Sequence, residues 1–596
     1  MASVSLAATG ALTGEGCEGA ARGAGATGWA QESSESGSMT KADTGERMAG
    51  RGCHRGRGLR YRPRTMLTRR DLLAGVGASV ALGAVSAGCD DTSTPMADSG
   101  APPVDGGPPI DMVDFLHGVA SGDPLPDRVI LWTRVTPRMG VMGTATVRWE
   151  TSSTPDFATV TGSGTFVTTA ARDYTVKVDV AGLTAGTTYY YRFSVGSTRS
   201  PVGRTRTAPS GSVDRLRFAV VSCSSFAHGY FHAYRDLAER ADLDAVVHLG
   251  DYIYEFQNYL YGNVRTYDPP TAVVTLSDYR RRYAHYRRDA DLRAAHQQHP
   301  FIAIWDDHEF ANNAWRDGAD NHFPKTEGMW SVRKAAAMQA YFEWMPIREQ
   351  PDGRIWRRFA FGNLVDLMML DTRVWGRSMQ EVEPSNNPSR ALLGADQEQW
   401  LLSNVSSTTA RWKVIGQQVQ IGPIRPDLNA DGWEGYPVAR TRFLQALATM
   451  RSSNVAVLTG DIHSSWAMDI AIDPFTPSAY NPTTGAGSLG VEFITPAITS
   501  PGDHPDAVLA TLLSQNPHLR WGDPGLRGFY ILDCTPERLQ ASWYLLPAGS
   551  IEQRERQRTA FASAWSTLHE ANRLSPGGEP AAPRANPPAL APAEPA

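Results

Sequence analysis

Five short apolar runs in this chain each stop at residues able to ligate a metal, and no other feature limits the fold so tightly. LRFAVVS (216–222) runs into Cys223. AVVHL (245–249) runs into Gly250 and then Asp251, Tyr252, Ile253, Tyr254 and Glu255. PFIAIW (300–305) leads to Asp306, Asp307, His308 and Glu309, with Asn312 and Asn313 soon after. LVDLMML (364–370) ends in Asp371, and VAVLTG (455–460) ends in Asp461, Ile462 and His463. Apolar runs of this length, bounded by glycine and polar residues, predict buried strands. Residues 230–241 have helical spacing, so the first two runs form a βαβ unit within a sheet flanked by helices. RWKVIGQQ (411–418) and VEFIT (491–495) predict further strands, and 529–546 a hairpin turning at Thr535–Glu537.

In open α/β sheets, ligands bind beyond the carboxyl ends of the strands. The thiol, phenol, imidazoles and acids above are therefore expected at one edge. Carboxylates brought within a few ångström of one another cannot all ionise unless cations sit among them. Thiolate, phenolate and imidazole suit a transition metal such as iron, whereas carboxylates and amides suit calcium, magnesium or manganese. Asp251, set on a glycine turn straight after a strand, is the natural carboxylate to bridge two ions. Two ions about 3.5–4 Å apart clamp an in-line displacement at phosphorus.

The chain has 596 residues and a formal net charge of −5, so it is long enough for more than one domain and carries no basic field for nucleic acid. Its five cysteines, at 17, 53, 89, 223 and 534, have neither metal-finger nor disulfide-framework spacing. Residues 1–65, rich in Gly, Ala, Ser and Arg, read as a disordered extension or a mis-assigned start. MLTRRDLLAGVGASVALGAVSAGC at 66–89 reads as an export signal: twin arginines, a short apolar run, then small residues. Cys89 is either a lipoprotein acylation site or part of an ordinary cleavage site. Residues 90–112 are a Pro/Gly/Asp linker. Short runs rich in Val, Thr, Trp and Tyr make 113–209 an all-β domain, with GLTAGTTYYYRFSVG resembling an immunoglobulin or fibronectin III sandwich. Residues 210–548 hold the α/β body. Residues 549–596 read as a charged helix followed by a disordered Pro/Ala tail.

HGVASGDPLPDRVILWTR, SCSS, GDYIYE, WDDHEFANN, LLGADQEQWL, WKVIGQQ and GDIHSSW, in that order, resemble the calcineurin-like metallophosphoesterases, specifically the PhoD-type alkaline phosphatases. The resemblance runs from about His117 to Leu546. It implies a four-layer α/β sandwich behind a small β-sandwich domain. It implies Fe3+ held by Cys223, Asp251, Tyr254 and His463, and Ca2+ held by Asp251, Asp307 and Asp461 with Asn312 or Asn313. The generic superfamily has Asn at the place of Asp307 and His at that of Asp461; the change to acids suits calcium. His308 takes the place of the catalytic histidine. The implied activity is hydrolysis of phosphate mono- and diesters by a metal-bound hydroxide, in an exported monomer that uses the Tat machinery and has no nucleic-acid readout. Phospholipid and nucleotide are candidate substrates. Two rival readings are a phospholipase D-like phosphodiesterase and a calcium-stabilised, non-catalytic surface binding protein.

Other readings are structural. Glu255 and Tyr252 are supporting contacts, Cys534 is core, and Asp371 pairs with Arg373. The arginines of 280–288 form a solvated helix face, and Trp433 to Tyr436 line the substrate mouth.

Overall fold

Leu216–Val221, Ala245–His248 and Pro300–Ala303 are parallel neighbours in one sheet, as their uninterrupted apolar character requires of strands covered on both faces. The computed structural model describes residues 108–140, 142–381, 385–426, 429–502 and 506–593. The 1–65 extension, the Tat-type signal at 66–89 with Cys89, and the linker up to 107 lie outside the described residues. The first crossover is made by the helix His232–Ala238, the second by Leu276–Tyr286 and Ala290–Gln298. Val365–Met369, Trp412–Gln417, Val455–Thr459 and Ser488–Ile494 form a second run of parallel neighbours.

The two sheets share a core. Val220 and Val246 of the first belong to one apolar cluster with Val414, Ala456, Leu458 and Phe493 of the second. The alternate residues Ile415, Val455 and Val457 face the other way, into a cluster with Leu401, Val405, Phe443 and Leu444. Those four lie on the helices Ala395–Ser407 and Pro437–Thr449. This period-two alternation places one sheet against the other and helices outside. The hydroxyl of Thr495 donates to the Val220 carbonyl, and Ser222 bridges Ala497, so the two sheets are stitched together where their strands end.

The segment 113–209 is less separate than its composition predicts. Val119–Gly122, Arg128–Arg134 and Thr175–Ala181 extend the ten-stranded catalytic sheet, joined through Pro300–Ala303. Ala145–Ser152, Val160–Thr168, Thr188–Val195 and Gly203–Arg206 form the facing sheet. The two layers close over Val129, Leu131, Val147, Val176 and Phe193. The junction needs a glycine: a Cβ on Gly122 would stand 2.2 Å from the Pro346 carbonyl oxygen.

The C-terminus corrects two expectations. The predicted helix after 549 is instead the strand Ala560–Leu568, antiparallel to Arg538–Leu545. Phe561 and Trp565 are four apart, a spacing that satisfies both a helical face and one face of a strand. The Pro/Ala tail is laid along the body through its backbone groups, mostly carbonyls. Arg217 donates to Ala582 at 2.8 Å, Tyr190 to Ala589 at 2.6 Å, and the Ala591 N–H donates to Gln298 at 2.8 Å. Proline-rich chain has few donors but keeps every acceptor, and buried arginines use them.

Candidate metal centre

The strand tips converge. Sγ of Cys223, a carboxylate oxygen of Asp251 and a ring nitrogen of His463 lie within 4.8 Å of one another; so do ligand atoms of Asp251, Asp307 and His308, and those of Asp306, Asp307 and Asp461. Asp251 belongs to the first two groups. The Tyr254 hydroxyl donates to Asp251 Oδ2 at 2.8 Å and lies 3.2 Å from His463 Nε2. His463 Nδ1 is 2.7 Å from the Pro501 carbonyl, which can only accept, so Nδ1–H donates there and Nε2 is the ring nitrogen turned towards Asp251 and Tyr254. Ser500 donates to the Tyr254 oxygen at 2.6 Å.

The backbone is strained to achieve this. Cys223, Asp251, Asp461 and His463 all adopt the left-handed region, with φ of +60°, +56°, +63° and +55°. Each such residue costs about 1–3 kcal/mol. The turn before Asp251 leaves no room for a side chain, since a Cβ on Gly250 would lie 2.4 Å from Asp306 Cβ. Glu309 clamps two tips by accepting the N–H groups of Asp251, Tyr252 and Asp306 at 3.1, 2.6 and 2.7 Å. Arg282 donates to the carbonyls of Tyr254, Phe256 and Pro269, fixing the loop that carries Tyr254.

Arg373 sits among the acids. Its fully buried guanidinium pairs with Asp306, with Asp461 at 2.5 Å and with Asp431 at 2.6 Å, and stands 3.5 Å from Asp307. A hollow of about 390 Å³ opens over the cluster, lined by Asp307, His308, Asn312, Asn313, Asp431 and His463 among others. His308 Nδ1 is 2.8 Å from Glu255 Oε2, which leaves Nε2 available to the hollow. Glu255 Oε1 in turn accepts from the Asn312 N–H at 2.7 Å and the Asn321 amide at 2.6 Å.

Residues 218–543 match the PhoD-like phosphatase family, and residues 103–209 match its N-terminal domain. Alkaline phosphatase D of Bacillus subtilis (strain 168) is 38% identical over 482 residues, which cover 75% of this chain and 80% of that protein. This chain belongs to the PhoD-like phosphatase family. A solved structure of PhoD superposes with a TM-score of 0.72 at 35% identity, covering 78% of this chain and 92% of that one. As a PhoD-like phosphatase, the protein is a metal-dependent phosphoric ester hydrolase with a mixed α/β body.

The donor chemistry of this PhoD-like phosphatase fits cations. Burial, then Asp251, push the Cys223 thiol well up; burial, then Asp251 and Cys223, do the same to the Tyr254 phenol. Burial raises Asp306 and Asp461 well above the usual carboxylate range despite Arg373. Asp306 Oδ2 is buried with no hydrogen-bond partner among the described residues. Burial also opposes ionisation of Asp251, but His308 and His463 outweigh it and bring the carboxyl down to about 2. Burial thus disfavours the charged forms of the thiol, the phenol and two of the acids, and a positive ion among them would favour ionisation of the set.

The structure brings Cys223, Asp251, Tyr254, Asp307, His308, Asn312, Asn313, Asp461 and His463 to this one locality. Several expectations change. Asp371 accepts the Arg373 backbone N–H, but the Arg373 side chain goes to the cluster instead. Trp433 and Tyr436 are 1% exposed and pack in the core; Asn429 and Asp431, just before them, line the hollow. Arg282 and Arg287 are 0% exposed, whereas Arg281 and Arg288 are exposed, so the 280–288 run is solvated on only part of its surface. Cys223 and Cys534 are both free thiols and both buried, Cys534 in the main core. Sequence reasoning missed Asp431, Arg282 and Ser500, none of which follows an apolar run.

Proposed function

We propose that this PhoD-like phosphatase is an exported alkaline phosphatase D-like enzyme that hydrolyses phosphate mono- and diesters at a mixed Fe3+/Ca2+ centre within a four-layer α/β sandwich. One observation carries the proposal: Asp251 reaches both the Cys223–His463 group and the Asp307–His308 group. A thiolate, a phenolate, an imidazole and a shared carboxylate suit Fe3+; the acids Asp307 and Asp461, with an asparagine, suit Ca2+. Asn313 Nδ2 donates to Asp320 at 2.8 Å, while the Asn312 side chain makes no hydrogen bond among the described residues. When bound, the cations supply an acidified water and positive charge for the developing oxyanions.

The chain's own residues do the rest. Asp251 fixes the spacing of the two groups. His463, oriented by the Pro501 carbonyl, presents Nε2. His308, held by Glu255, presents Nε2 to the hollow, where it protonates the departing oxygen. Arg373 offsets part of the acidic charge beneath the floor. The Tat-type signal at 66–89 fits this chemistry, since that route carries folded protein and lets iron enter before export.

The test is elemental analysis of native protein together with rates on p-nitrophenyl phosphate, bis-p-nitrophenyl phosphate and phosphatidylcholine, before and after calcium chelation. Iron and calcium, with chelator-sensitive turnover of the first two esters, support the proposal. Turnover of phosphatidylcholine alone favours the phospholipase D-like reading, and bound metal without turnover overturns the catalytic one.

A further inference from the structure

The hollow has an aromatic flank that the chemistry above does not use. Phe256 and Tyr261 line it, half-buried, with ring centres 4.9 Å apart. His308 stacks on Tyr254 at 4.2 Å and stands 5.2 Å from Phe256 and 6.3 Å from Tyr261. The loop is shaped to hold Tyr261 there. Gly262 has φ of +86°, and a Cβ on it would lie 2.8 Å from the Ala227 carbonyl carbon, so only glycine makes the turn. Arg282 anchors the same loop through the Phe256 carbonyl at 3.0 Å. The polar lining, Gln420, Asn429 and Asp431, comes from other segments.

We propose that Phe256 and Tyr261 form a leaving-alcohol subsite that favours phosphate esters of planar, ring-bearing alcohols over esters of aliphatic ones. The inference rests on His308 as the acid of the hydrolysis. In that step the bond from phosphorus to the alcohol oxygen breaks, its electron pair stays on that oxygen and the His308 proton follows; a water oxygen takes its place on phosphorus, keeping one proton and releasing the other to solvent, from which His308 is reprotonated. The donor must come within about 3 Å of the departing oxygen. One face of the His308 ring is taken by Tyr254 and one nitrogen by Glu255. The group carried by the departing oxygen therefore leaves past Phe256 and Tyr261. A flat ring stacks there in the offset geometry aromatic pairs prefer, and an aliphatic group does not.

The test compares phenyl phosphate with hexafluoroisopropyl phosphate, whose alcohol is close to phenol in acidity but has no ring. Tyr261→Ala is expected to lower kcat/KM for the phenyl ester by about 3–10-fold more than for the fluoroalkyl ester, with iron and calcium content unchanged. Tyr261→Phe restores the selectivity that Tyr261→Ala loses. Equal losses on both esters, or none, overturn the subsite. Failure of His308 as the acid shows separately, as a His308→Ala enzyme that turns over both esters at wild-type rates. A wild-type protein that hydrolyses neither ester removes the monoesterase reading and this inference together.

Discussion

At the scale of single residues, Tyr254 shows most clearly how the sequence and the metal depend on each other. Burial, then Asp251 and Cys223, hold its phenol well above the ordinary tyrosine value, so it ionises only beside a strong cation. Tyr254→Phe is therefore expected to abolish any visible phenolate-to-iron absorption in the native protein; an unchanged spectrum removes Tyr254 from the ligand set. His308 differs in kind. Burial opposes its charge, yet Asp307, Glu255 and Asp251 keep it protonated well above the usual imidazole value, which suits an acid. His308→Ala is expected to keep its metals and lose about 10²–10⁴ in kcat; a change confined to KM reassigns the residue to substrate binding.

At the scale of elements, the site was legible because each ligand follows an apolar run and the runs lie side by side. Cys223, Asp251, Asp307 and Asp461 needed only the rule that parallel strands deliver their ends to one edge. What supports those ends was not legible. Arg282 lies in a run of arginines whose charge reads as solvated, but its partners are carbonyls of a distant loop, which leave no sequence signal. Asp431 is separated from Arg373 by 58 residues and follows no strand. Trp433 and Tyr436 carry the stronger sequence signal for a substrate mouth, yet they are core, and Asp431 beside them lines the hollow. Arg282→Leu strands several buried carbonyls, at about 1–3 kcal/mol each. We expect a clear drop in unfolding free energy together with lost iron, measured by denaturant titration and elemental analysis. Iron loss without destabilisation contradicts the role of Arg282 as a brace.

At the scale of the whole molecule, one ten-stranded sheet runs from the C-terminal strands through the catalytic strands into the N-terminal segment. Composition marks a boundary near 209, but strand pairing between residues far apart in the chain erases it, and pairing of that range has no local pattern to read. The packed interior also sets the response to pH. Burial lowers His117 to about 2, His248 and His299 to about 3 and His518 to about 4. These rings are neutral when folded, whereas the unfolded chain takes up protons below its ordinary value of about 6.5. Their stability contribution is thus present above that value and lost as the pH falls towards 3–4, by about 1.4 kcal/mol per pH unit for each fully buried ring. Denaturant titrations from pH 7.5 to 5 are expected to show this fall, and stability unchanged to pH 5 contradicts it. The central claim is that strand tips from two sheets share cations through Asp251. Anomalous diffraction at the iron edge and away from it, on crystals of native protein, tests it most directly. The account predicts one iron peak beside Cys223, Tyr254 and His463, and a lighter ion about 3.5–4 Å away beside Asp307 and Asp461, with Asp251 touching both. A lone ion, or two ions that do not meet at Asp251, contradicts it.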